Sequence, residues 1–319
     1  MVSVTVNVAG RSPAFARGFP ITVEVPNDGK VADIKAAIHA KFPKYYPTRQ
    51  KLSVPSDKKA LANEAPVKDL FSGASQGELV VKDLGPQISW RTVYLIEYVG
   101  PLLIHPLFYY YPRVFYGQDV KHSTMQTYAF ALIMGHFIKR ELETLLRVPR
   151  HPASAVHRFS HATMPFFNVF KNAGHYHFLS GLLLAFDLYR PGYSAPALAG
   201  TLLDDLTFLK VCAGLVIAFE LLNLNAHWVL RSLRPAGTTK RGIPYGFGFG
   251  LVSCPNYLFE TLAWTTITVM TGGSLASILF VVVATVQMAI WALKRHNQYK
   301  KEFGKAYPRG RKAMFPFIL

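Results

Sequence analysis

The sequence predicts a mainly α protein, a multi-span transmembrane helical bundle preceded by a small α+β domain. Three observations carry that prediction. Half of the 319 residues are hydrophobic and only 17% are charged, with mean hydropathy +0.19, which excludes disorder or coiled coil for the whole chain. From about Gln87 onward, long apolar stretches recur as far as Leu293. Before them, residues 1–84 show the alternation and turn signals of a soluble domain.

Within that domain Val2, Val4, Val6 and Val8 alternate with Ser3, Thr5 and Asn7, the period of two that marks a half-buried strand. Ile21 to Val25 supplies a second strand, with 10–18 as the connection, and Pro26-Asn27-Asp28-Gly29 is a turn. Val31, Ile34, Ala37 (or Ile38) and Phe42 recur at helical spacing, and Pro43 closes that helix. Leu52 to Val54 and Glu78 to Val81 supply later short strands. The order β-β-α-β-β resembles a ubiquitin-like β-grasp, a likeness of element order and length.

The remaining chain, 85–319, reads as the membrane region. Its apolar segments are Tyr94 to Tyr111, Met125 to Leu146, His177 to Tyr189, Leu209 to Leu230, Leu258 to Met270 and Leu275 to Leu293. The last is the cleanest, since only Thr285 and Gln287 are polar between Ile278 and Ile290. Together they predict about six spans of a hydrocarbon layer roughly 30 Å thick, with membrane lipid as the surrounding partner. Lys294, Arg295, Lys300, Lys301, Lys305, Arg309, Arg311 and Lys312 follow the last span against Glu302 alone. That excess places the C-terminal tail in the cytosol. No positively charged leader with an apolar run opens the chain, so the N-terminal domain is expected in the cytosol too. Lys and Arg number 35 against 18 Asp and Glu, a formal net charge of +17. On a membrane chain this excess suits anionic cofactors and substrates, and no nucleic-acid partner is expected. Cys212 and Cys254 make neither a disulfide framework nor a zinc motif.

Polar residues within apolar helices carry the functional signal, because an ionisable group at membrane depth normally faces a cavity or a partner. Glu220, Asn223, His227, Arg231 and Arg234 are spaced 3, 4, 4 and 3 apart, which puts all five on one helical face. That face reads either as an interhelical polar seam or as the wall of a site for an anionic ligand. His136, Lys139 with Arg140, and Glu143 form a second such face. Glu143 could neutralise either cation, and Lys139 could instead bond a substrate carbonyl or tune a neighbouring acid. A third feature runs Lys240-Arg241-Gly242-Ile243-Pro244-Tyr245-Gly246-Phe247-Gly248-Phe249-Gly250, then Ser253-Cys254-Pro255-Asn256-Tyr257-Leu258-Phe259-Glu260. Glycines admit close backbone approach, Lys240 and Arg241 suit phosphate, and Pro255 fits the first position of a helix. Asn256, Tyr257 and free N–H groups would then stand at that helix's positive end. The spacing is not Gly-x-Gly-x-x-Gly and no strand-helix-strand frame surrounds it, so a Rossmann domain is rejected. His105, His151, His157, His161, His175 and His177 fit no metal pattern and read as loop or interface histidines. No Gly-x-Ser-x-Gly elbow supports serine hydrolysis.

These residues also match a family. Gly85-Pro86-Gln87-Ile88-Ser89-Trp90-Arg91, Glu97-Tyr98 and Gly100-Pro101 closely resemble the opening of the membrane region in very-long-chain trans-2-enoyl-CoA reductases. So do His136-Phe137-Ile138-Lys139-Arg140-Glu141-Leu142-Glu143-Thr144, 156–165 and 168–172. The ending from Tyr307 to Ile318 resembles the C-terminal signature of the wider steroid 5α-reductase superfamily. The likeness covers essentially the whole chain. It implies a bundle of steroid 5α-reductase type in the endoplasmic reticulum membrane. The implied reaction is reduction of very-long-chain trans-2,3-enoyl-CoA to saturated acyl-CoA with NADPH, the last step of fatty-acid elongation. The implied partners are acyl-CoA and the elongase, ketoacyl reductase and dehydratase of that cycle. By resemblance Lys139 and Tyr257 are catalytic, and the chemistry of the reaction then expects Tyr257 to give a proton and Lys139 to lower its pKa or support an enolate. Gln87 and Glu97 match substrate-orienting positions, and Asn223, Arg234, Asn256 and Glu260 would line the NADPH site. The polar-face and loop readings add Arg231, Lys240 and Arg241 to that set. At His227 the superfamily has an acid, so this contact departs from the pattern. The chain also inserts 147–155 where the family runs on directly, and two prolines there exclude a simple helix extension. Other readings are a steroid or polyprenol double-bond reductase, a membrane methyltransferase, or a non-catalytic scaffold with a ubiquitin-like docking domain.

Overall fold

The alternating valines of the N-terminus form β1 (Val2–Val8), antiparallel to β2 (Ile21–Val25). The computed structural model describes residues 1–148, 151–155, 163–233 and 242–319. Helix α1 (Val31–Lys41) follows, its first turn held by the Asp33 carboxylate accepting from the Lys30 N–H at 2.7 Å. Then come β3 (Gln50–Ser53), a single helical turn α2 (Val67–Leu70) that the sequence did not announce, and β4 (Gln76–Asp83). The strands assemble in the order β2-β1-β4-β3 with β1 and β4 parallel, the mixed sheet of a ubiquitin-like fold. Val4, Val6, Ile34, Ile38, Leu52 and Leu79 are fully buried between sheet and α1. At the sheet edge Arg49 holds Asp83 in a two-pronged pair at 2.5 and 2.7 Å.

The chain divides into two compact units. Strand β5 (Gln87–Ser89) still belongs to the first, which runs from Met1 to Trp90 and includes the segment ending at Asn168. The second unit is helical. It begins with α3 (Trp90–Tyr110), the short α4 (Pro112–Tyr116) and α5 (Thr124–Leu145), which Ser123 caps by accepting from the Gln126 N–H at 3.1 Å. The inserted stretch forms a two-stranded ladder, β6 (Arg147–Val148) against β7 (His151–Ala155). In the first unit β8 (Thr163–Pro165) pairs with β5. A continuous helical run follows, α6 (Asn168–Ala173), a π-helical stretch Gly174–Leu183 and α7 (Leu184–Leu188). A short turn, α8 (Ala195–Leu198), leads to α9 (Leu206–Ser232), α10 (Pro255–Met270) and α11 (Leu275–Phe303).

Among the described residues, two helices are long and apolar enough to cross a membrane, Leu206–Ser232 and Leu275–Ala306. The other apolar segments fall short of that standard for physical reasons. Arg91, Glu97 and His105 together with Pro101 and Pro106 lower the hydropathy of α3, α5 carries Lys139, Arg140, Glu141 and Glu143, and α10 has 16 residues, about 24 Å of rise.

Two histidines expected in loops or interfaces prove to be packing residues of these helices. His105 is fully buried on α3, where its Nε2–H donates to the Ser180 carbonyl (2.8 Å) and its Nδ1 accepts from the Tyr189 hydroxyl (2.7 Å). His177 donates from Nε2 to the Ile96 carbonyl at 2.6 Å. It packs against Gly100, where any Cβ would overlap its ring. Prolines in α3 remove intrahelical donors, and side-chain N–H groups of the neighbouring run reach into the same stretch.

Candidate active site

The polar face of α9 meets the polar face of α5. Lys139 Nζ donates to Glu220 Oε2 and to Asn223 Oδ1, each at 2.6 Å, and Glu143 Oε1 lies 3.7 Å away. His136 donates from Nδ1 to Glu220 Oε1 at 2.7 Å. Arg140 donates to Glu143 Oε2 and to the Tyr98 hydroxyl, both at 2.9 Å, and Glu143 also meets His227 Nδ1 at 3.2 Å. Two carboxylates and two cations thus balance inside an apolar bundle, each acid shared between a cation and an imidazole. That balance is what makes four ionised groups tolerable at this depth.

The seam continues into α10. Asn223 turns its Oδ1 to Lys139 and its Nδ2 to the backbone carbonyl of Asn256 at 2.8 Å, with Glu260 Oε2 at 3.4 Å. One buried amide therefore connects the lysine to the residue next to Tyr257. Tyr257 lies in the first turn of α10, half-buried, 6.3 Å between ring centres from Trp291. Its hydroxyl has no hydrogen-bond partner among the described residues.

Lys139 makes its two shortest bonds to Glu220 and Asn223, and a third contact to the Glu220 carbonyl at 3.3 Å. The positive end of α10 is less open than Pro255 suggested. Pro255 does occupy the first position, but the N–H groups of Tyr257 and Leu258 both reach the Cys254 carbonyl, at 3.1 and 3.3 Å.

The glycine-rich segment packs on that same helix start. Gly248 has φ +82°, and a Cβ there would come within 2.7 Å of Pro255 Cβ, so only glycine admits this approach. The C-terminal tail then closes over it. Lys312 N–H donates to the Leu251 carbonyl (2.9 Å), Ser253 N–H to Lys312 (2.8 Å) and Cys254 N–H to Ala313 (3.1 Å). Arg311 donates to the Pro244 carbonyl at 3.0 Å, its guanidinium beside the rings of Tyr245 and Tyr307. The buried Ser253 hydroxyl joins His296 Nδ1 and the Tyr307 hydroxyl, each at 2.6 Å, and the Lys312 carbonyl at 3.0 Å. Ser253 and Tyr307 were visible in the sequence as motif members. Nothing in their spacing revealed that 43 to 59 residues would close to one hub around Ser253.

The remaining expected residues are distributed as follows. Glu97 is buried on α3 and accepts a hydrogen bond from the Asn172 side chain, next to Tyr98, the partner of Arg140. Arg231 is buried on α9, its guanidinium 5.4 Å from the Trp228 ring centre. Gln87 belongs to the first unit. There its amide donates to the carbonyls of Leu84 (3.1 Å) and Gly85 (3.2 Å), and its carbonyl accepts from the Thr163 hydroxyl (3.2 Å). Arg234, Lys240, Arg241, His157 and His161 lie outside the described residues. Asn256 is buried, yet its side-chain amide has no partner among the described residues. With Glu260 and Arg231 it offers the amide, carboxylate and guanidinium chemistry that suits a dinucleotide, so the residues present fit such a group.

Comparison with known proteins agrees with both units. Residues 21–83 match the family model described as TECR, ubiquitin-like domain, and residues 162–319 match 3-oxo-5-alpha-steroid 4-dehydrogenase. A Schizosaccharomyces pombe relative that carries an enoyl reductase name is 41% identical over 319 residues, all of both chains. The "Very-long-chain enoyl-CoA reductase" of Dictyostelium discoideum is 41% identical over 277 residues, 85% of this chain and 86% of its own. The mouse "Trans-2,3-enoyl-CoA reductase-like" protein is 32% identical over 307 residues, 94% of this chain and 80% of its own.

Proposed function

The chain belongs to the very-long-chain enoyl-CoA reductase family, and we propose that it is a membrane oxidoreductase that saturates the trans-2 double bond of long-chain enoyl-CoA. The observation that carries the assignment to this site is the Lys139–Asn223–Asn256 bridge, which fixes the first turn of α10 and with it Tyr257.

The reaction asks for three things. The β-carbon of an enoyl thioester is electrophilic, and NADPH, when bound, supplies the hydride that adds there. Asn256, Glu260 and Arg231 would hold it, with Arg234, Lys240 and Arg241 as the expected phosphate contacts. Charge then develops on the thioester oxygen, where a preplaced donor contributes about 3–4 kcal/mol. The α-carbon finally needs a proton. Tyr257, whose hydroxyl has no hydrogen-bond partner among the described residues, delivers that proton. Lys139 acts as a positioning residue through Asn223. Glu97 and Gln87 keep the substrate-orienting roles that their motifs imply.

About six spans, an endoplasmic reticulum location, cytosolic termini and a place at the end of the elongation cycle beside its elongase, ketoacyl reductase and dehydratase complete the reading. Two apolar helices and the basic tail support it. The decisive experiment follows NADPH oxidation by purified full-length protein with a long-chain trans-2-enoyl-CoA. Turnover is expected, and Tyr257→Phe should lower kcat by about 100-fold or more with the protein still folded. Wild-type turnover by that variant would remove Tyr257 from the mechanism. The match to the steroid dehydrogenase model favours one second reading, conjugate reduction of a 3-oxo-4-ene steroid, and that steroid in the same assay separates the two.

A further inference from the structure

The first unit carries a cavity that the reduction does not use. It has a volume of about 490 Å³ and opens where the loop after β1 passes the end of β4. Arg11, Arg17 and Lys82 line it. All three are exposed, and none has a hydrogen-bond or ion-pair partner among the described residues. The acid at the wall, Asp83, does not neutralise them. Its carboxylate is already held by Arg49 at 2.5 and 2.7 Å and by the Gly85 N–H at 2.9 Å. The backbone N–H groups of Gly10, Arg11 and Ser12 likewise find no acceptor among the described residues.

Two cations on a slack loop would move away from a third on a neighbouring strand and be screened. This loop is pinned. Phe15 packs edge-on to the buried Tyr45 ring at 5.8 Å, Ala16 is fully buried, and the Arg49 guanidinium sits 4.3 Å from the Phe15 ring centre. The backbone that carries Arg11 and Arg17 is therefore fixed, and with Lys82 of β4 they line one concavity with no ion-pair partner among the described residues.

We infer that this cavity is a binding site for a phosphate-bearing ligand. Two guanidinium forks and an ammonium match the several oxygens and multiple charge of a phosphate ester, whereas a single carboxylate would leave most of the charge unanswered. The wall at Pro13 and Ala14 is apolar and accommodates the ring or stem that carries the phosphate. The same chemistry is presented by a phosphoinositide headgroup in a membrane and by a soluble phosphate ester.

The test uses the full chain in phosphatidylcholine nanodiscs and reads amide exchange across 8–18 and 76–83. Soluble inositol trisphosphate should slow exchange in both segments, and added chloride should reverse the effect. In R11Q/R17Q/K82Q the apparent affinity should fall by more than about tenfold, each lost charge-assisted bond being worth about that factor. NADPH oxidation should stay unchanged in the variant, which also reports that it is folded. Protection only when the discs contain phosphatidylinositol bisphosphate would support the site and identify a lipid as its source. No protection by either probe, or equal protection in the triple variant, would overturn the inference. The single K82Q variant, on a strand rather than the loop, should show a smaller loss in the same direction.

Discussion

Lys139 shows how much one residue's role depends on what it touches. Its two 2.6 Å bonds go to a carboxylate and to an amide that in turn grips Asn256. Replacing it with methionine leaves Glu220 buried with only His136 beside it, and stranded buried charges of this kind cost about 3–5 kcal/mol. Lys139→Met should therefore lower both thermal stability in detergent and kcat. Lys139→Arg should recover stability better than turnover, because a planar fork cannot reproduce both bonds of a point-like ammonium. If Lys139→Met melts like wild type, the ion pair with Glu220 is not a structural tie. Asn223 is the least replaceable member at this scale, since donor and acceptor are both in use and an aspartate there would face Glu260 with a second negative charge.

Among the elements, the start of α10 is the one most fully surrounded. The glycine-rich segment approaches it through Gly248, α9 grips Asn256, and the tail pairs with 251–254. Ser253 joins this segment to α11 at His296 and to the tail at Tyr307 and Lys312 with one hydroxyl. Ser253→Ala should leave two or three buried polar groups short of a partner, at about 1–3 kcal/mol. Its signature should be a drop in kcat with little change in KM, because what moves is the placement of Tyr257. Ser253→Thr keeps the hydroxyl and should restore turnover. A loss in KM alone would mean that the hub serves binding instead.

For the whole molecule, the two units respond to different variables. The helical unit is balanced by internal ion pairs, whereas the sheet of the first unit is closed by Arg49 and Asp83. Burial raises the Asp83 carboxyl, but its bonds to Arg49 and to the Gly85 N–H outweigh that and hold it below the usual carboxylate range. A group depressed on folding stabilises above its unfolded pKa, about 3.9 for aspartate, and that stabilisation is lost as pH falls through the lower folded value. The melting difference between wild type and Asp83→Asn should therefore be constant near neutrality and close in strong acid. A difference that widens on acidification would contradict the sign.

Sequence patterns sufficed for features set by neighbours along the chain. Valine alternation gave β1, apolar spacing and Pro43 gave α1, Pro255 marked the start of α10, and intervals of three and four put Glu220, Asn223 and His227 on one face. The motifs that resemble the reductase family's added the reaction class. What periodicity could not supply is which face meets which. Whether Glu220 answers Lys139 or a ligand, whether Glu143 serves Arg140, and whether the tail reaches Ser253 are contacts between segments far apart in sequence. Many pairings satisfy the same local rules, and only packing in three dimensions selects one. The fold therefore also decided that Lys139 bonds Glu220 and Asn223 across two helices, a pairing that no spacing in the sequence names.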